Sequence, residues 1–262
     1  VIPAPNLRLS LIQSDLHWED KPRNLAMFDE KLADISAANT DLIILPEMFS
    51  TGFSMNPEQL AESMTDTTVR WMKNLSIAKN LGVCGSFIAE DKGLYFNRFC
   101  FVEEGEVKHV YDKHHLFTMA GESAVYTSGT DAASFIFKGW KILPRICYDL
   151  RFPVWCRSPL IDLQLYVANW PLPRLGAWDK LLMARAIENQ CYVAGVNRVG
   201  KDGNGHPYQG HSVVIDPKGE LLTSEKYADE GVLKCSIDWK SLNDFREKFP
   251  LHLDADQFQI VH

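Results

Sequence analysis

Three short segments carry side chains able to do covalent chemistry. Pro144-Arg145-Ile146-Cys147-Tyr148-Asp149-Leu150-Arg151-Phe152-Pro153 is an apolar, strand-like run that ends abruptly in a cysteine followed by polar and charged residues. Thr40-Asp41-Leu42-Ile43-Ile44-Leu45-Pro46-Glu47 is almost wholly apolar and stops at Pro46, which leaves Glu47 just past its end. Asp112-Lys113-His114-His115-Leu116-Phe117 is a dense titratable cluster directly after a third strand-like run. In open α/β layers ligands bind at the carboxyl ends of strands. A thiol, a carboxylate and an ammonium at three such ends fit one task, acyl transfer. A free thiol of pKa about 8.5 is only a few per cent thiolate at neutral pH and needs help to attack a carbonyl carbon. Glu47 is suited to take that proton, and later to protonate a departing amine and activate water. Lys113 favours the thiolate and, with the backbone N–H after Cys147, can stabilise an oxyanion.

Each of these residues has a plain structural role open to it. Cysteine is among the most buried residue types and packs as a small hydrophobe. Glu47 can cap a helix or pair on the surface, and Lys113 is one of 27 cations. A Cys-His pair is a rival arrangement, with His114, His115 or His211 as the base, and spacing alone leaves it open.

The elements that must position these groups follow from hydrophobic periodicity. Strands are predicted over residues 7–13, 40–47, 83–89, 95–103, 107–111, 135–137, 140–146, 163–170, 191–196, 210–215 and 231–237. Helices are predicted over 24–35, 57–80, 178–189 and 240–248. Glu104-Gly105 and Lys138-Gly139 read as hairpin turns, Pro57 suits a first helical turn, and Pro250 stops the last helix. So many strands exceed a single sheet with short crossovers. Two sheets packed face to face, with helices outside, accommodate them.

Composition narrows the function classes. The 262 residues contain no linker, low-complexity tract or fixed-period repeat, so a single domain over 1–262 is expected. A formal charge of −7 argues against a nucleic-acid partner. The six cysteines contain no C-x-x-C, and four lie in apolar runs, which predicts free thiols in a reducing compartment rather than disulfides or a zinc site. The opening Val1-Ile2-Pro3-Ala4-Pro5 lacks the marks of a signal peptide, and no apolar run approaches a membrane span. A cytoplasmic protein with no membrane partner, no metal and no cofactor is expected.

The segments Leu45-Pro46-Glu47-Met48-Phe49, Tyr111-Asp112-Lys113-His114-His115-Leu116-Phe117 and Ile146-Cys147-Tyr148-Asp149-Leu150-Arg151-Phe152-Pro153 resemble, in order and interval, the three motifs of the carbon–nitrogen hydrolase (nitrilase) superfamily. Val167-Ala168-Asn169-Trp170-Pro171 and Ala184-Arg185-Ala186-Ile187-Glu188-Asn189-Gln190 extend the likeness over nearly the whole chain. The resemblance implies a four-layer αββα sandwich and a Glu-Lys-Cys triad at Glu47, Lys113 and Cys147, and it demotes the histidine alternative. It also implies a second glutamate after the lysine, for which Glu122 is the best match, and a homodimer formed through helices near the cysteine. Ala168-Asn169-Trp170-Pro171 and the chain length most resemble the omega-amidase branch. That likeness implies a small-molecule amide substrate, 2-oxoglutaramate or 2-oxosuccinamate, hydrolysed to the oxo-dicarboxylate and ammonia. Phe49, Phe117 and Trp170 are then expected to line a small pocket, Tyr148 to contribute its backbone N–H, and Arg174 to meet the substrate carboxylate. A nitrilase, a carbamoylase, another small-amide hydrolase and a non-catalytic dimeric binding protein are the alternatives.

Overall fold

The computed structural model describes residues 3–158, 160–223 and 228–260; Val1 and Ile2 of the opening segment lie outside them. In chain order its strands and α-helices are β1 (Asn6–Gln13), α1 (Lys21–Lys31), β2 (Leu42–Ile44), α2 (Pro57–Leu60), α3 (Thr67–Lys79), β3 (Gly82–Asp91), β4 (Leu94–Glu103), β5 (Glu106–Asp112) and α4 (Glu122–Val125). There follow β6 (Phe135–Phe137), β7 (Trp140–Ile146), α5 (Pro153–Cys156), β8 (Leu163–Val167), α6 (Leu175–Asn189), β9 (Tyr192–Val196), β10 (Val199–Lys201), β11 (Pro207–Gln209), β12 (Val213–Ile215), β13 (Gly231–Asp238) and α7 (Trp239–Lys248).

Two large sheets organise the molecule. One runs β13-β1-β2-β3-β4-β5, with β1, β2 and β3 parallel; the other runs β12-β9-β8-β7-β6, with β7, β8 and β9 parallel. The period of two in each strand decides which side chains face which layer. Leu7, Leu9, Leu11, Leu42 and Ile44 from the first sheet meet Ile142, Ile146, Leu163, Leu165 and Val167 from the second in a core between the sheets. Ile12, Ile43, Val83 and Phe87 point the other way, onto Phe28 of α1 and Val69 and Met72 of α3. On the far side Tyr166, Val193 and Ile215 pack under Trp178, Leu182 and Ala186 of α6. The layers are therefore helix, sheet, sheet, helix, the αββα order expected from the sequence. Among the described residues no helix is long and apolar enough to cross a membrane.

The hairpin turns form as read. Glu104 and Gly105 have φ of 53° and 74°, and Lys138 and Gly139 have 48° and 84°, the paired left-handed values that match strand twist. Helix 57–80 is a correction. Its chain breaks into α2 and α3 because Glu62 leaves the helical path to pair with Ala89 of β3, and its carboxylate meets Lys21 and the Thr68 N–H instead. The β10–β11 hairpin, joined through Val199↔Gln209 and Gly200↔Tyr208, was not predicted. Its strands are three residues long, too short to show periodicity.

Candidate active site

The parallel strands set the geometry of the site. β2, β7 and β8 all end at the same edge of the sandwich, and β5 runs parallel to β3 because two antiparallel pairings separate them. Glu47 follows β2, Lys113 follows β5, Cys147 follows β7 and Asn169 follows β8. Two layers thus deliver their groups to one place, although Glu47 and Cys147 are a hundred residues apart in the chain.

Lys113 lies between two carboxylates. Its Nζ is 2.9 Å from Glu47 Oε1 and 2.9 Å from each oxygen of Glu122, and all three side chains are fully buried. Burial alone would lower the Lys113 pKa, but Glu122 and Glu47 outweigh it and raise the value, so the ammonium is retained. Burial pushes the Glu122 carboxyl up, against the pull of Lys113. The backbone N–H of Phe117 anchors Glu122 at 2.6 Å.

Glu47 is held from both layers. Its Oε1 accepts from Asn97 Nδ2 at 2.8 Å, and its Oε2 accepts from the Asn169 backbone N–H at 2.7 Å. Asn169 Nδ2 donates to the Glu47 carbonyl at 2.6 Å. Asn97 is in turn fixed by Ser86, whose hydroxyl donates to Asn97 Oδ1 at 2.8 Å. A carboxylate offers about four acceptor positions. Asn97, Lys113 and Asn169 fill three, and the charge of the Glu47 carboxylate acts on the Cys147 thiol, whose pKa it raises.

Cys147 has φ of 45°, a left-handed conformation that costs a non-glycine residue about 1–3 kcal/mol and occurs mostly at functional turns. It turns the chain out of β7 into a short 3₁₀ segment, Cys147–Arg151. Asp149 stabilises that turn by accepting from the Ile146 N–H at 3.0 Å, Tyr111 OH at 2.6 Å and the His115 N–H at 2.9 Å. Burial pushes the thiol well above its ordinary value; Glu47 and Glu122 add to this, and Lys113 opposes it. These influences together favour the protonated thiol over the thiolate.

A cavity of about 310 Å³ opens over Cys147. Tyr148, Phe117, Trp170 and Arg174 line it. Phe49 does not. It is fully buried against Phe28 and Trp71 on the helical side of the first sheet, because its position after Glu47 directs the ring away from the site. The histidines proposed as rival bases are engaged elsewhere: His115 stacks on Phe152 at 3.6 Å and meets Asp149, His114 stacks on Trp155 at 3.7 Å, and His211 meets Asp179.

Three cavity features were missed. Arg151 lines the wall with its guanidinium 4.9 Å from the Trp170 ring centre; four residues after the cysteine, it was quoted within a motif but given no task. Asn169 sits at a strand end, a signal that was available. Asp202, Asn204, His206 and Tyr208 reach the cavity from the β10–β11 hairpin, and nothing in their local sequence marks them.

Comparison with known proteins places this geometry in a family. The carbon-nitrogen hydrolase family matches residues 8–247. The chain is 46% identical to the omega-amidase YafV of Escherichia coli K12 over 98% of its own length and 99% of that protein. It is 32% identical to a 2-oxoglutaramate amidase of Bacillus subtilis, covering 94% of this chain and 96% of that one. The crystal structure of XC1258 from Xanthomonas campestris, a CN-hydrolase superfamily protein with an arsenic adduct in its active site, superposes with a TM-score of 0.93 at 40% identity, over 98% and 99% of the two chains. With a full-length match to relatives and a cysteine, lysine and glutamate gathered at the edge of an αββα sandwich, the chain belongs to the carbon–nitrogen hydrolase family, in its omega-amidase branch, and is a hydrolase of carbon–nitrogen bonds.

Proposed function

We propose that this protein hydrolyses the terminal amide of small oxo-dicarboxylic acid omega-amides, 2-oxoglutaramate and 2-oxosuccinamate, through a thioester on Cys147. One observation carries the substrate class. Arg151 and Arg174 both line the cavity over Cys147, and neither forms an ion pair among the described residues. Each guanidinium lies against an aromatic face, Arg151 on Trp170 and Arg174 on Phe117, which orients it without neutralising it. Unpaired guanidiniums suit a carboxylate, and a cavity near the lower end of the usual range of about 300–1,000 Å³ suits a molecule of about ten non-hydrogen atoms. The relatives' names, omega-amidase and 2-oxoglutaramate amidase, support the same class.

The reaction follows from the arrangement. The thiol sulfur attacks the amide carbon while its proton passes to Glu47, and the carbonyl oxygen becomes an oxyanion met by Lys113 and the Tyr148 N–H. Glu47 returns the proton to nitrogen, the C–N bond breaks and ammonia leaves. Water then attacks the thioester with Glu47 as base, the C–S bond breaks, and the sulfur regains its proton. Glu122 holds Lys113 in place and supplies the second negative charge that keeps it an ammonium.

Ammonia release from 2-oxoglutaramate, glutamine, an N-carbamoyl amino acid and a simple nitrile tests the assignment. The oxo-acid amide should be preferred, Cys147→Ala should abolish turnover, and Arg151→Ala should raise KM for it about tenfold or more. Equal rates on all four substrates would reject the substrate class; turnover by Cys147→Ala would reject the thioester. The homodimer expected from the family resemblance is supported by exposed apolar side chains on the helices near the cysteine, Val154 of α5 and Met183 and Ile187 of α6. Sedimentation should give twice the chain mass, reduced by Ile187→Glu.

A further inference from the structure

Among the described residues, one side chain bonded to Glu47 keeps a buried polar atom without a partner. Asn169 is 4% exposed and lines the cavity, yet its side-chain Oδ1 is buried without a hydrogen-bond partner. The orientation of that amide is fixed. Its Nδ2 donates to the Glu47 carbonyl at 2.6 Å, which can only accept, so the arm left over must be the oxygen. Buried acceptors are rarely left unpaired, and one beside a reactive group calls for a partner that arrives with the ligand.

We infer that Asn169 Oδ1 accepts an N–H of the scissile primary amide and so selects for a leaving group that carries hydrogen on nitrogen. The inference rests on the thioester reading above. For Glu47 to protonate the departing nitrogen, that nitrogen must lie beside the Glu47 carboxylate. It then lies beside Asn169, whose backbone N–H is 2.7 Å from Glu47 Oε2. A primary amide offers two N–H groups; one given to Oδ1 fixes rotation about the C–N bond and leaves the developing lone pair facing Glu47. An ester oxygen or a nitrile nitrogen has no hydrogen to give and leaves Oδ1 unpaired. A methyl group on nitrogen, placed at Oδ1, would collide with it. The same side chain thus serves twice, its Nδ2 fixing the base and its Oδ1 reading the leaving group.

The test compares leaving groups on one acyl chain. The primary omega-amide, its N-methyl amide and the corresponding methyl ester all yield the same thioester, so hydrolysis of the intermediate is common to them. The kcat/KM values of wild type, Asn169→Ala and Asn169→Ser are measured for each; serine is too short to reach the Oδ1 position and guards against an alanine variant that fails to fold. The ratio of amide to ester is independent of the fraction of active protein. That ratio should fall about tenfold or more in both variants, the value of one lost hydrogen bond, and the preference for primary over N-methyl amide should narrow. An equal fall for amide and ester would mean that Asn169 acts only by holding Glu47, and would overturn the inference while leaving the thioester reading intact. A wild type that releases no ammonia from any amide would overturn both.

Discussion

The Cys147 thiol sits beside two carboxylates and one ammonium, and the balance of those charges sets how it reacts. Removing the negative charge of Glu47 should lower the thiol's pKa, because that carboxylate is the largest charge raising it after burial. Glu47→Gln is therefore expected to have opposite effects on two measurements. Amide turnover should fall by about a thousandfold or more, since the proton acceptor is lost. The pH at which iodoacetamide alkylates Cys147 should move down, since more thiolate is present at a given pH. An alkylation profile displaced upward would show that the glutamate stabilises the thiolate, contrary to its position. The strand-end positions of Glu47 and Cys147 were legible because each follows an apolar run that is buried, β2 and β7, whereas Lys113 follows β5, whose alternate residues are exposed. Phe49 was misassigned for a related reason. Two residues past the same strand end it reads as part of the site, but the left-handed turn at Met48, with φ of 43°, sends it back into the helical layer.

At the scale of the element, the turn after β7 depends on one buried carboxylate. Asp149 gathers donors from β7, from Tyr111 of β5 and from the loop at His115, so it couples the nucleophile's turn to the loop that carries Lys113. Burial would raise its pKa, yet hydrogen bonds from His115 and Tyr111 and the charge of Arg145 lower it overall. Asp149→Ala strands those donors and should cost about 2–4 kcal/mol of stability. Its kcat should fall with the thiol still present, measured against a thiol titration under denaturing conditions. Wild-type turnover in a folded variant would remove Asp149 from any positioning role. Element boundaries were readable where a turn residue punctuated them, as at Glu104-Gly105. They failed at Glu62, where the apolar pattern of residues 57–80 continued through a break imposed by strand contact, and at the β10–β11 hairpin, whose cavity-lining residues are set by tertiary contacts such as Tyr208 OH to Asp202 at 2.9 Å.

At the scale of the whole molecule, the two sheets share an apolar core but are joined by polar contacts at opposite ends of β2. At the carboxyl end Glu47 meets Asn169, within the site. At the amino end Asp41 accepts from Arg8 of β1, Nε at 2.9 Å and Nη2 at 2.8 Å, and pairs with Lys138 in the β6–β7 turn of the other sheet. Burial would raise the Asp41 carboxyl, but the hydrogen bonds from Arg8 and Lys138 outweigh it and hold the value well below the usual carboxylate range. The two junctions lie a strand length apart, so they should separate stability from catalysis. Asp41→Asn should lose about 1–2 kcal/mol at pH 7, discounted because the Arg8 and Lys138 side chains are 36% and 41% exposed, with kcat/KM close to wild type. A carboxyl depressed in the folded state stabilises fully above its unfolded pKa of about 4 and progressively less as the pH falls toward the folded value. The gap in urea midpoint between wild type and Asp41→Asn should accordingly be constant from pH 8 to about pH 5 and narrow in acid. Equal midpoints at pH 7 would show that the apolar core alone holds the sheets together, and a large loss of turnover would show that strain at the amino end of β2 is transmitted along it to Glu47.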